Sequence, residues 1–272
     1  MYKKICVILA FILSISLLAY GKPSDPNRNI LKFGCMPWSE PMIQWIKEGL
    51  EPLGFKVEIV MFDANQLPAT ALKDGSIDGI IANHRPWILT FNQQNNCNLQ
   101  MVQPYHFYSF FAIYSAKYKK LSELPQNAQI TIPGDPTNLS RSLIILKEAG
   151  LITLNKRTGP FYTVLDIKDN PKKLKLIEAE ITQTSRSLPD VDAVIATAYF
   201  IAEAAKADPK VFLFKDPQNK DFPLGLIVRN EDVESSWAKE AAKILKSKKN
   251  KARFNERYKG KYTLIDYNSS QK

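Results

Sequence analysis

Short apolar segments alternate with helix-like segments from Asn29 onward, and this alternation constrains the fold more than any other feature of the sequence. Strand-like segments lie at 30–35, 56–62, 79–82, 109–115, 129–132, 174–177, 193–197, 211–214 and 224–228. Helix-like segments lie at 41–53, 68–73, 139–149 and 199–207, and a last long helix begins near residue 231. Strands that alternate with helices favour parallel sheets covered by helices. We therefore predict an α/β fold.

The strand–helix units form two series, separated by the charged segment Lys117-Tyr118-Lys119-Lys120. The segments at 109–115 and 224–228 join the two series, so we predict two lobes with a ligand cleft between them. The predicted boundaries are 22–116 for the first part of lobe 1, 117–221 for lobe 2 and 222–272 for the return to lobe 1. Ligands commonly bind at such domain junctions, beyond the carboxyl ends of strands.

The first 21 residues have the features of a secretory signal peptide. Lys3 and Lys4 precede an apolar run at 5–20, and Ala19 and Gly21 supply the small residues that cleavage requires. The run is shorter than the roughly 20 residues that span a bilayer, and a retained membrane anchor is the alternative. No cysteine follows the run where bacterial lipoproteins are lipidated. We therefore predict a soluble periplasmic protein.

The chain has a formal net charge of +10, and much of the positive excess lies at 243–261. A basic chain can bind nucleic acid or anionic lipid, but export to the periplasm argues against nucleic acid. The basic segment mixes Lys and Arg with apolar residues, a pattern typical of an amphipathic helix with a solvated basic face. We expect the exported protein to be a monomer.

Cysteine and histidine are scarce, which limits metal binding and catalysis. Cys6 leaves with the signal peptide, and Cys35 and Cys97 remain in a compartment that permits disulfides. The sequence permits their pairing but does not require it. The two histidines, His84 and His106, are too few for a Cys/His cluster with metal-site spacing. No nucleophile elbow or phosphate-binding glycine loop occurs, so we predict no metal, no cofactor and no enzymatic activity.

A strand, a tight turn and a helix follow one another at 129–150. The Pro-Gly-Asp-Pro turn at 133–136 ends the strand, and Thr137 or Asn138 is predicted to cap the helix. Unpaired N–H groups and the helix dipole make such an N-terminus suitable for an anion. Arg141 lies in the first turn, near enough to bind both oxygens of a carboxylate. An ordinary loop with a solvated arginine is the alternative, and the local pattern by itself favours it.

Several short motifs occur in a fixed order along the chain. The strongest is Ile132-Pro133-Gly134-Asp135-Pro136-Thr137-Asn138 with Arg141, followed by residues 143–152. Supporting motifs are Leu67-Pro68 with Ala71-Leu72, His84-Arg85-Pro86, Leu121-Ser122-Glu123-Leu124-Pro125, Asp166-Ile167 with Asn170-Pro171, and residues 190–195. Over about residues 31–261, the chain thus resembles the NlpA/methionine-binding lipoprotein family, the substrate-binding components of methionine ABC importers.

The resemblance implies a type II periplasmic-binding-protein fold, whose two lobes close on a ligand, and docking onto a membrane permease driven by a cytoplasmic ATPase. It also implies an amino acid as the ligand, with methionine as the family default. Arg141 and the backbone N–H groups near Asn138 would hold its carboxylate. His84 matches the pocket histidine of the family, and Trp87 stands where the family usually has tyrosine. Tyr105, just before the first crossing strand, is a further candidate contact.

Other pocket positions depart from the family pattern. Ala196-Thr197-Ala198 stands where the family carries Asn-Gly-Asn, and Leu224 replaces an asparagine that normally holds the head group of the ligand. Ala82 replaces an aromatic residue, which would widen the pocket. Glu40 follows the first strand and could accept a hydrogen bond from a ligand ammonium. These changes favour a solute that is larger than methionine or differently charged.

A divergent envelope protein of the same fold is the alternative to a component of a methionine importer. Such a protein would bind a different solute, such as a modified amino acid or a short peptide, or would have a structural role without transport. The altered pocket positions and the missing lipidation cysteine favour this alternative.

Overall fold

A computed structural model describes residues 29–267, which form two α/β lobes and a small antiparallel sheet at their junction. The predicted signal peptide, residues 1–21, lies outside the described residues. None of the helices within 29–267 is long and apolar enough to cross a membrane. The predicted two-lobed α/β fold is confirmed.

The first part of the chain alternates strands and helices, as its apolar pattern predicts. Its strands are β1 (Ile30–Cys35), β2 (Lys56–Met61), β3 (Gly79–Ile81), β4 (Leu99–Met101), β5 (Phe107–Ser109) and β6 (Phe111–Tyr114). Its helices are α1 (Glu40–Leu50), α2 (Leu67–Lys73) and α3 (Arg85–Asn95). All three helices have a proline at one of their first two positions, where the missing N–H costs no hydrogen bond.

The second part continues the alternation. Its strands are β7 (Gln129–Pro133), β8 (Thr153–Leu154), β9 (Ile167–Asp169), β10 (Lys175–Ala179), β11 (Ala193–Thr197), β12 (Phe214–Lys215), β13 (Pro223–Leu224), β14 (Ile227–Arg229) and β15 (Tyr262–Leu264). Its helices are α4 (Pro136–Glu148), α5 (Ile181–Thr184), α6 (Ala198–Glu203), α7 (Ser236–Leu245) and α8 (Lys248–Arg257).

Each lobe is built on one five-stranded sheet. The strand order is β2-β1-β3-β14-β4 in lobe 1 and β10-β7-β11-β6-β12 in lobe 2. A third, antiparallel sheet, β13-β5-β15, lies where the chain passes between the lobes. Because β6 pairs with β11 in lobe 2, the first crossing occurs near residue 110, earlier than the boundary predicted at 117.

Helix α1 fixes the core of lobe 1. Its inner side buries Met42, Ile43, Ile46 and Leu50, as the apolar spacing predicts. The ring of Phe33 in β1 packs edge-on against Trp237 of α7, with 5.8 Å between ring centres. Helix α7 therefore packs into the core of lobe 1.

Helix α4 packs on the strand that precedes it in lobe 2. Ile130 and Ile132 of β7 are fully buried against Leu143 and Leu146 of α4. Burying each of these side chains stabilises the lobe by roughly 1.5–3 kcal/mol. This packing holds the first turn of α4 at the edge of the sheet, beside the cleft.

The structure corrects two local predictions. Asp135 caps α4, because its side chain accepts the backbone N–H of Asn138, and the helix already begins at Pro136. A proline favours the first helical position, which explains why the cap lies earlier than predicted. The single terminal helix is in fact two helices, since α7 ends at Leu245 and Ser247 caps α8.

Both cysteines of the described chain are free thiols. Burial raises the pKa of the Cys35 thiol to about 12, whereas Cys97 is partly exposed. Because the thiolate is the reactive form, we expect iodoacetamide to alkylate Cys97 in the native protein and Cys35 only after unfolding. Peptide mass spectrometry of native and denatured samples tests this order. Rapid labelling of Cys35 in the native protein would contradict its burial in β1.

Candidate functional site

A pocket of about 50 Å³ lies between the lobes, against the three-stranded sheet. Each strand of that sheet contributes one residue to the wall: Ser109, Leu224 and Tyr262. Lobe 1 contributes Trp38, Asn65, Ala82, Asn83, His84 and Trp87, and lobe 2 contributes Asn138, Arg141, Ile181, Thr197 and Phe200. The small sheet thus forms a floor on which both lobes meet.

The N-termini of α3 and α4 face each other and are joined by a hydrogen bond. His84 precedes α3, and its Nδ1 accepts the backbone N–H of Trp87 at 3.1 Å. Nδ1 is therefore unprotonated, so Nε2 carries the hydrogen and donates it to Oδ1 of Asn138 at 3.1 Å. This bond links lobe 1 directly to lobe 2 and fixes the neutral form of His84.

The start of α4 already holds a carboxylate, that of Asp135. Its Oδ1 accepts the backbone N–H of Asn138 at 3.2 Å and the hydroxyl of Thr137 at 2.9 Å. The side-chain amide of Asn138 donates to both oxygens of Asp135. The first of these bonds uses the backbone N–H of Asn138, one of the groups that the sequence predicts for a ligand carboxylate. The structure differs from that prediction because the protein's own carboxylate occupies the helix N-terminus.

Arg141 borders the pocket and is held by four side chains, those of Asp216, Asn219, Phe222 and Phe111. Its Nε and Nη2 lie 2.6 and 2.5 Å from Oδ2 of Asp216, and both residues are almost fully buried. Nη2 also donates to Oδ1 of Asn219 at 2.8 Å. The guanidinium carbon lies 4.0 Å from the ring centre of Phe222 and 4.5 Å from that of Phe111. The ion pair and the ring contacts together fix the plane of the guanidinium.

One nitrogen of Arg141 remains available to the pocket. Among residues 29–267, Nη1 makes no hydrogen bond, whereas Asp216 and Asn219 engage Nε and Nη2. Burial lowers the pKa of Arg141 and the charge of Asp216 opposes that shift, so the side chain stays protonated. The structure therefore leaves Nη1, rather than the whole fork, as the donor for a ligand anion.

Two buried polar atoms in the pocket wall lack a hydrogen-bond partner among the described residues. They are Oδ1 of Asn83 and Oγ of Ser109, whose side chains are 4% and 6% exposed. The Asn83 amide is fixed on its other side, because Nδ2 donates to the backbone oxygen of Asn65 at 3.2 Å. An unpaired buried acceptor costs roughly 1–3 kcal/mol, so a ligand donor would be stabilised there.

The structure brings five of the predicted residues to this pocket: Arg141, Asn138, His84, Trp87 and Leu224. Ala82 lines it as well, at the position where the sequence predicts a wider pocket. The ring of Trp87 stacks on Phe91 at 5.4 Å, and Trp87 lines both this pocket and a neighbouring cavity. The helix N-termini and the two crossing segments therefore meet at this pocket.

Three other predicted residues lie elsewhere. Glu40 accepts a hydrogen bond from Gln44 and borders a groove between α1 and α8. Tyr105 borders a separate cavity on lobe 1. Ala196 packs in the core behind β11, and it is the next residue, Thr197, that reaches the pocket. Side chains of a strand alternate between its faces, so a shift of one position exchanges core for cleft.

Most of the aromatic and amide residues of the pocket wall were not predicted from the sequence. Trp38, Asn83 and Phe200 lie near strand ends and helix starts, and none of them is part of a recognisable sequence motif. Tyr262 follows the last helix and is far in sequence from the other wall residues. One signal was present: Asn83 lies beside His84, directly after a buried strand, where side chains of an α/β fold reach the ligand cleft.

His84 makes stability depend on pH. Burial, reinforced by the charge of Arg141, lowers the pKa of His84 from 6.5 to about 4. Between these pH values the unfolded chain binds more protons than the folded chain, so the free energy of unfolding decreases as the pH falls. The contribution of the neutral histidine is complete above pH 6.5 and is lost progressively toward pH 4.

Urea unfolding at several pH values across this window measures the dependence. We expect His84→Gln to reduce the slope of stability against pH, because the variant has no group that titrates at that site. His106→Gln is the matched comparison, since burial lowers the pKa of His106 to about 3 outside the pocket. A slope that His84→Gln leaves unchanged would show that folding does not lower the pKa of His84.

No group of three or more His, Cys, Asp or Glu side chains within 29–267 is placed to hold a metal ion. The polar groups of the pocket are one guanidinium nitrogen, a neutral histidine, amides and hydroxyls. Such a set suits a small organic solute with both an anionic group and a hydrogen-bond donor.

Comparison with known proteins gives consistent matches over most of the chain. The sequence matches the NlpA lipoprotein family over residues 31–265. The D-methionine-binding lipoprotein MetQ of Yersinia pestis is 36% identical over 236 residues, which are 85% of this chain and 86% of the relative. MetQ of Escherichia coli K12 is 35% identical over 237 residues, with the same coverage.

Solved structures agree with this match. A nutrient-binding protein from Burkholderia cenocepacia bound to methionine has a TM-score of 0.79 and 30% identity, over 87% of this chain and 100% of that chain. The substrate-binding protein of a methionine transporter from Streptococcus pneumoniae has a TM-score of 0.80 and 28% identity, over 88% and 96%. These relatives are described as binding proteins, which confirms the prediction of a binding protein rather than an enzyme. The chain belongs to the NlpA lipoprotein family.

Proposed function

We propose that this chain is the exported solute-binding component of an ABC importer and that it binds methionine between its lobes. The observation that carries the proposal is that one pocket is lined both by Arg141, whose Nη1 makes no hydrogen bond within residues 29–267, and by Asn83, whose buried Oδ1 lacks a partner there. These two groups match the carboxylate and the ammonium of an amino acid. The relatives are described as methionine-binding or methionine-bound, which is why we propose methionine as the amino acid.

The head group of the ligand is held from two sides in this proposal. Nη1 of Arg141 donates to the carboxylate, and a charge-assisted bond of this kind contributes roughly 1.5–3 kcal/mol. Oδ1 of Asn83 accepts from the ammonium and gains the partner that it lacks within the described protein. Asn83 would thus bind the head group of the ligand in place of the asparagine that the family resemblance implies at the position of Leu224.

The apolar part of the wall suits a thioether side chain. Trp38, Trp87, Phe200, Leu224 and Tyr262 surround the pocket. Sulfur next to aromatic rings is favourable by roughly 0.3–1.5 kcal/mol, and a flexible methionine side chain fills irregular space well. The aromatic wall therefore supports methionine over a small or strongly polar amino acid.

The cellular setting follows from the same proposal. Residues 1–21 direct export and are removed, and the mature two-lobed protein is a monomer in the periplasm. It docks onto the permease of the importer in its closed form, in which the His84–Asn138 bond holds the lobes together. The support for the permease is the transporter named in the Streptococcus pneumoniae relative.

Thermal unfolding with added ligands tests this function. A ligand at about a hundred times its dissociation constant stabilises a protein by roughly 2.7 kcal/mol. We expect L- or D-methionine to raise the melting temperature and serine or aspartate to leave it unchanged. A protein that responds to no amino acid or short peptide would instead support a structural role in the envelope.

A further inference from the structure

A cavity of about 270 Å³, the basic cavity, lies where the segment before β5 meets helices α7 and α8 and the chain after β15. Its wall includes Tyr105, His106, Lys246, Lys251, Asp266 and Tyr267. None of the described residues that line it also lines the ligand pocket. Because a water molecule takes up about 30 Å³ in the liquid, the basic cavity has room for a small solute. It is therefore a second candidate site, separate from the cleft.

His106 gives the basic cavity a buried polar group without a partner. The side chain is 3% exposed, and its Nε2 makes no hydrogen bond within residues 29–267. The ring is held edge-on between Phe107 and Phe254, with 5.7 and 5.3 Å between ring centres. A neutral histidine can carry its hydrogen on Nε2, and a buried donor of this kind is stabilised by an acceptor. A ligand oxygen in the cavity would supply that acceptor.

Two lysines place positive charge beside this histidine. Lys246 is half-buried, and its Nζ donates one hydrogen bond to the backbone oxygen of Pro104, which leaves two of its three N–H groups. Lys251 is exposed, and its side chain makes no hydrogen bond or ion pair within the described chain. Asp266 also lines the cavity, so two lysines and one aspartate give the wall a formal charge of +1.

The three groups are close enough to affect one another's titration. Burial, and then the charges of Lys246 and Lys251, lower the pKa of His106 to about 3, so the ring is neutral. Burial and the charge of Lys251 lower the pKa of Lys246 to about 8. The two ammonium groups therefore repel each other, and an anion bound between them would relieve that repulsion.

The start of helix α8 is also unfavourable for the helix itself. Its first residues include Lys248, Lys249 and Lys251, and its first turn has no acidic residue. The positive end of the helix dipole favours anions there and disfavours cations. Lys249 is paired with Glu48, whereas Lys248 and Lys251 have no ion-pair partner among residues 29–267. Local rules that are broken in this way are expected at functional sites.

We propose that the basic cavity binds a phosphate group, held by Lys246, Lys251 and Nε2 of His106. Lysine is a common ligand of phosphate, because its compact charge carries several donors. Leu264 and Ile265 add apolar surface to the wall, on which an organic group attached to the phosphate can pack. A soluble phosphate ester and the headgroup of a phospholipid share this chemistry. The inference goes beyond the proposed function and does not depend on it, because the two sites share no lining residue within the described chain.

NMR of the histidine rings tests the proposal. The sequence has two histidines, so proton–nitrogen spectra of histidine-labelled protein contain two ring systems, and His84→Gln assigns them. Inorganic phosphate and glycerol 3-phosphate are titrated at constant ionic strength, with chloride as the reference for general screening. We expect a saturable shift of the Nε2 signal of His106 with at least one of these phosphates and no comparable shift of His84.

Lys251→Gln is the variant to compare, because it removes a charge from the cavity wall without removing a contact. Lys259→Gln is the matched control, since Lys259 is an exposed lysine beyond the end of α8 and does not line the cavity. Lys251→Gln should weaken phosphate binding severalfold, and Lys259→Gln should leave it unchanged. Equal losses in both variants would overturn the site, because they would show attraction to the basic surface as a whole. Absence of a His106 shift, or the same shift with chloride, would also overturn it.

Sedimentation with phosphatidylglycerol vesicles identifies the source of the phosphate. Sedimentation that glycerol 3-phosphate competes with, and that Lys251→Gln weakens more than Lys259→Gln, supports a lipid headgroup. A shift of His106 without sedimentation supports a soluble phosphate ester. Methionine binding is measured on the same samples and should be equal in the unchanged protein and both variants, so the result for the basic cavity leaves the proposed function untouched.

Discussion

Asp216→Ala should destabilise the protein by roughly 3–5 kcal/mol, the usual cost of leaving one partner of a buried ion pair unpaired. Arg141 and Asp216 are 2% and 1% exposed, so water cannot replace the lost carboxylate. The rings of Phe222 and Phe111 that enclose the guanidinium offer no hydrogen-bond acceptor in the plane of the charge. Urea unfolding monitored by tryptophan fluorescence measures the change.

Asp216→Asn is the control for this variant. The asparagine keeps an oxygen that can accept a hydrogen bond from Nε of Arg141, and the substitution removes only the charge. The loss in free energy of unfolding should therefore be smaller for Asp216→Asn than for Asp216→Ala. A loss below about 1 kcal/mol in Asp216→Ala is the value typical of an exposed pair. That result would mean that Arg141 is not held as the structure shows.

The double variant Arg141→Met/Asp216→Leu should recover stability but lose ligand affinity. Replacing a buried ion pair by apolar residues of similar volume is often neutral or stabilising, so unfolding should occur near the midpoint of the unchanged protein. The ligand carboxylate, however, loses its charged donor, worth roughly 1.5–3 kcal/mol, so affinity for methionine should fall about 10- to 150-fold. Urea unfolding and calorimetric titration on the same preparation measure both effects.

This variant separates the two tasks of Arg141. If affinity and stability both fall, the variant has not repacked, and the affinity loss says nothing about the carboxylate. Leu226→Ala then serves as the comparison, because it weakens the core of lobe 1 without touching the pocket. Recovered stability with unchanged affinity would show that the ligand is held without Arg141.

The apolar pattern predicted the strands well where they are buried. The segment 193–197 matches β11 residue for residue, because a short apolar run bounded by polar residues has few other folded solutions. The terminal basic segment was harder, since the break between α7 and α8 depends on the cap of Ser247 rather than on apolar spacing. Local composition predicted the helical content there but not where each helix ends.

Only the site residues that lie close together in the sequence could be predicted. Asn138 and Arg141 lie in one turn of one helix, and His84 and Trp87 lie at the start of another, so short-range patterns bring each pair together. The partner of Arg141 is Asp216, which lies 75 residues away, and no local pattern connects them. Contacts of this kind depend on how the lobe packs, which a single sequence does not display.

The three-stranded sheet under the pocket is also formed by residues that are far apart in the sequence, so it could not be predicted from local patterns. Ser109, Leu224 and Tyr262 come from three separate parts of the chain and meet because β13, β5 and β15 pair. The family resemblance pointed to Leu224 as a changed position, whereas Asn83, which we propose as the acceptor in its place, is recognisable only from its buried and unpaired oxygen. Glu40, which the sequence favoured for that task, faces a different groove.

A crystal structure of the complex with methionine tests the central claim most directly. We expect the carboxylate of the ligand to lie about 2.7–2.9 Å from Nη1 of Arg141, the usual range for a charge-assisted bond. We also expect the ammonium to bind Oδ1 of Asn83 while Asp216 keeps its hydrogen bond with Nε of Arg141. A ligand outside the pocket, or a carboxylate bound at the start of α4 in place of Asp135, would contradict it.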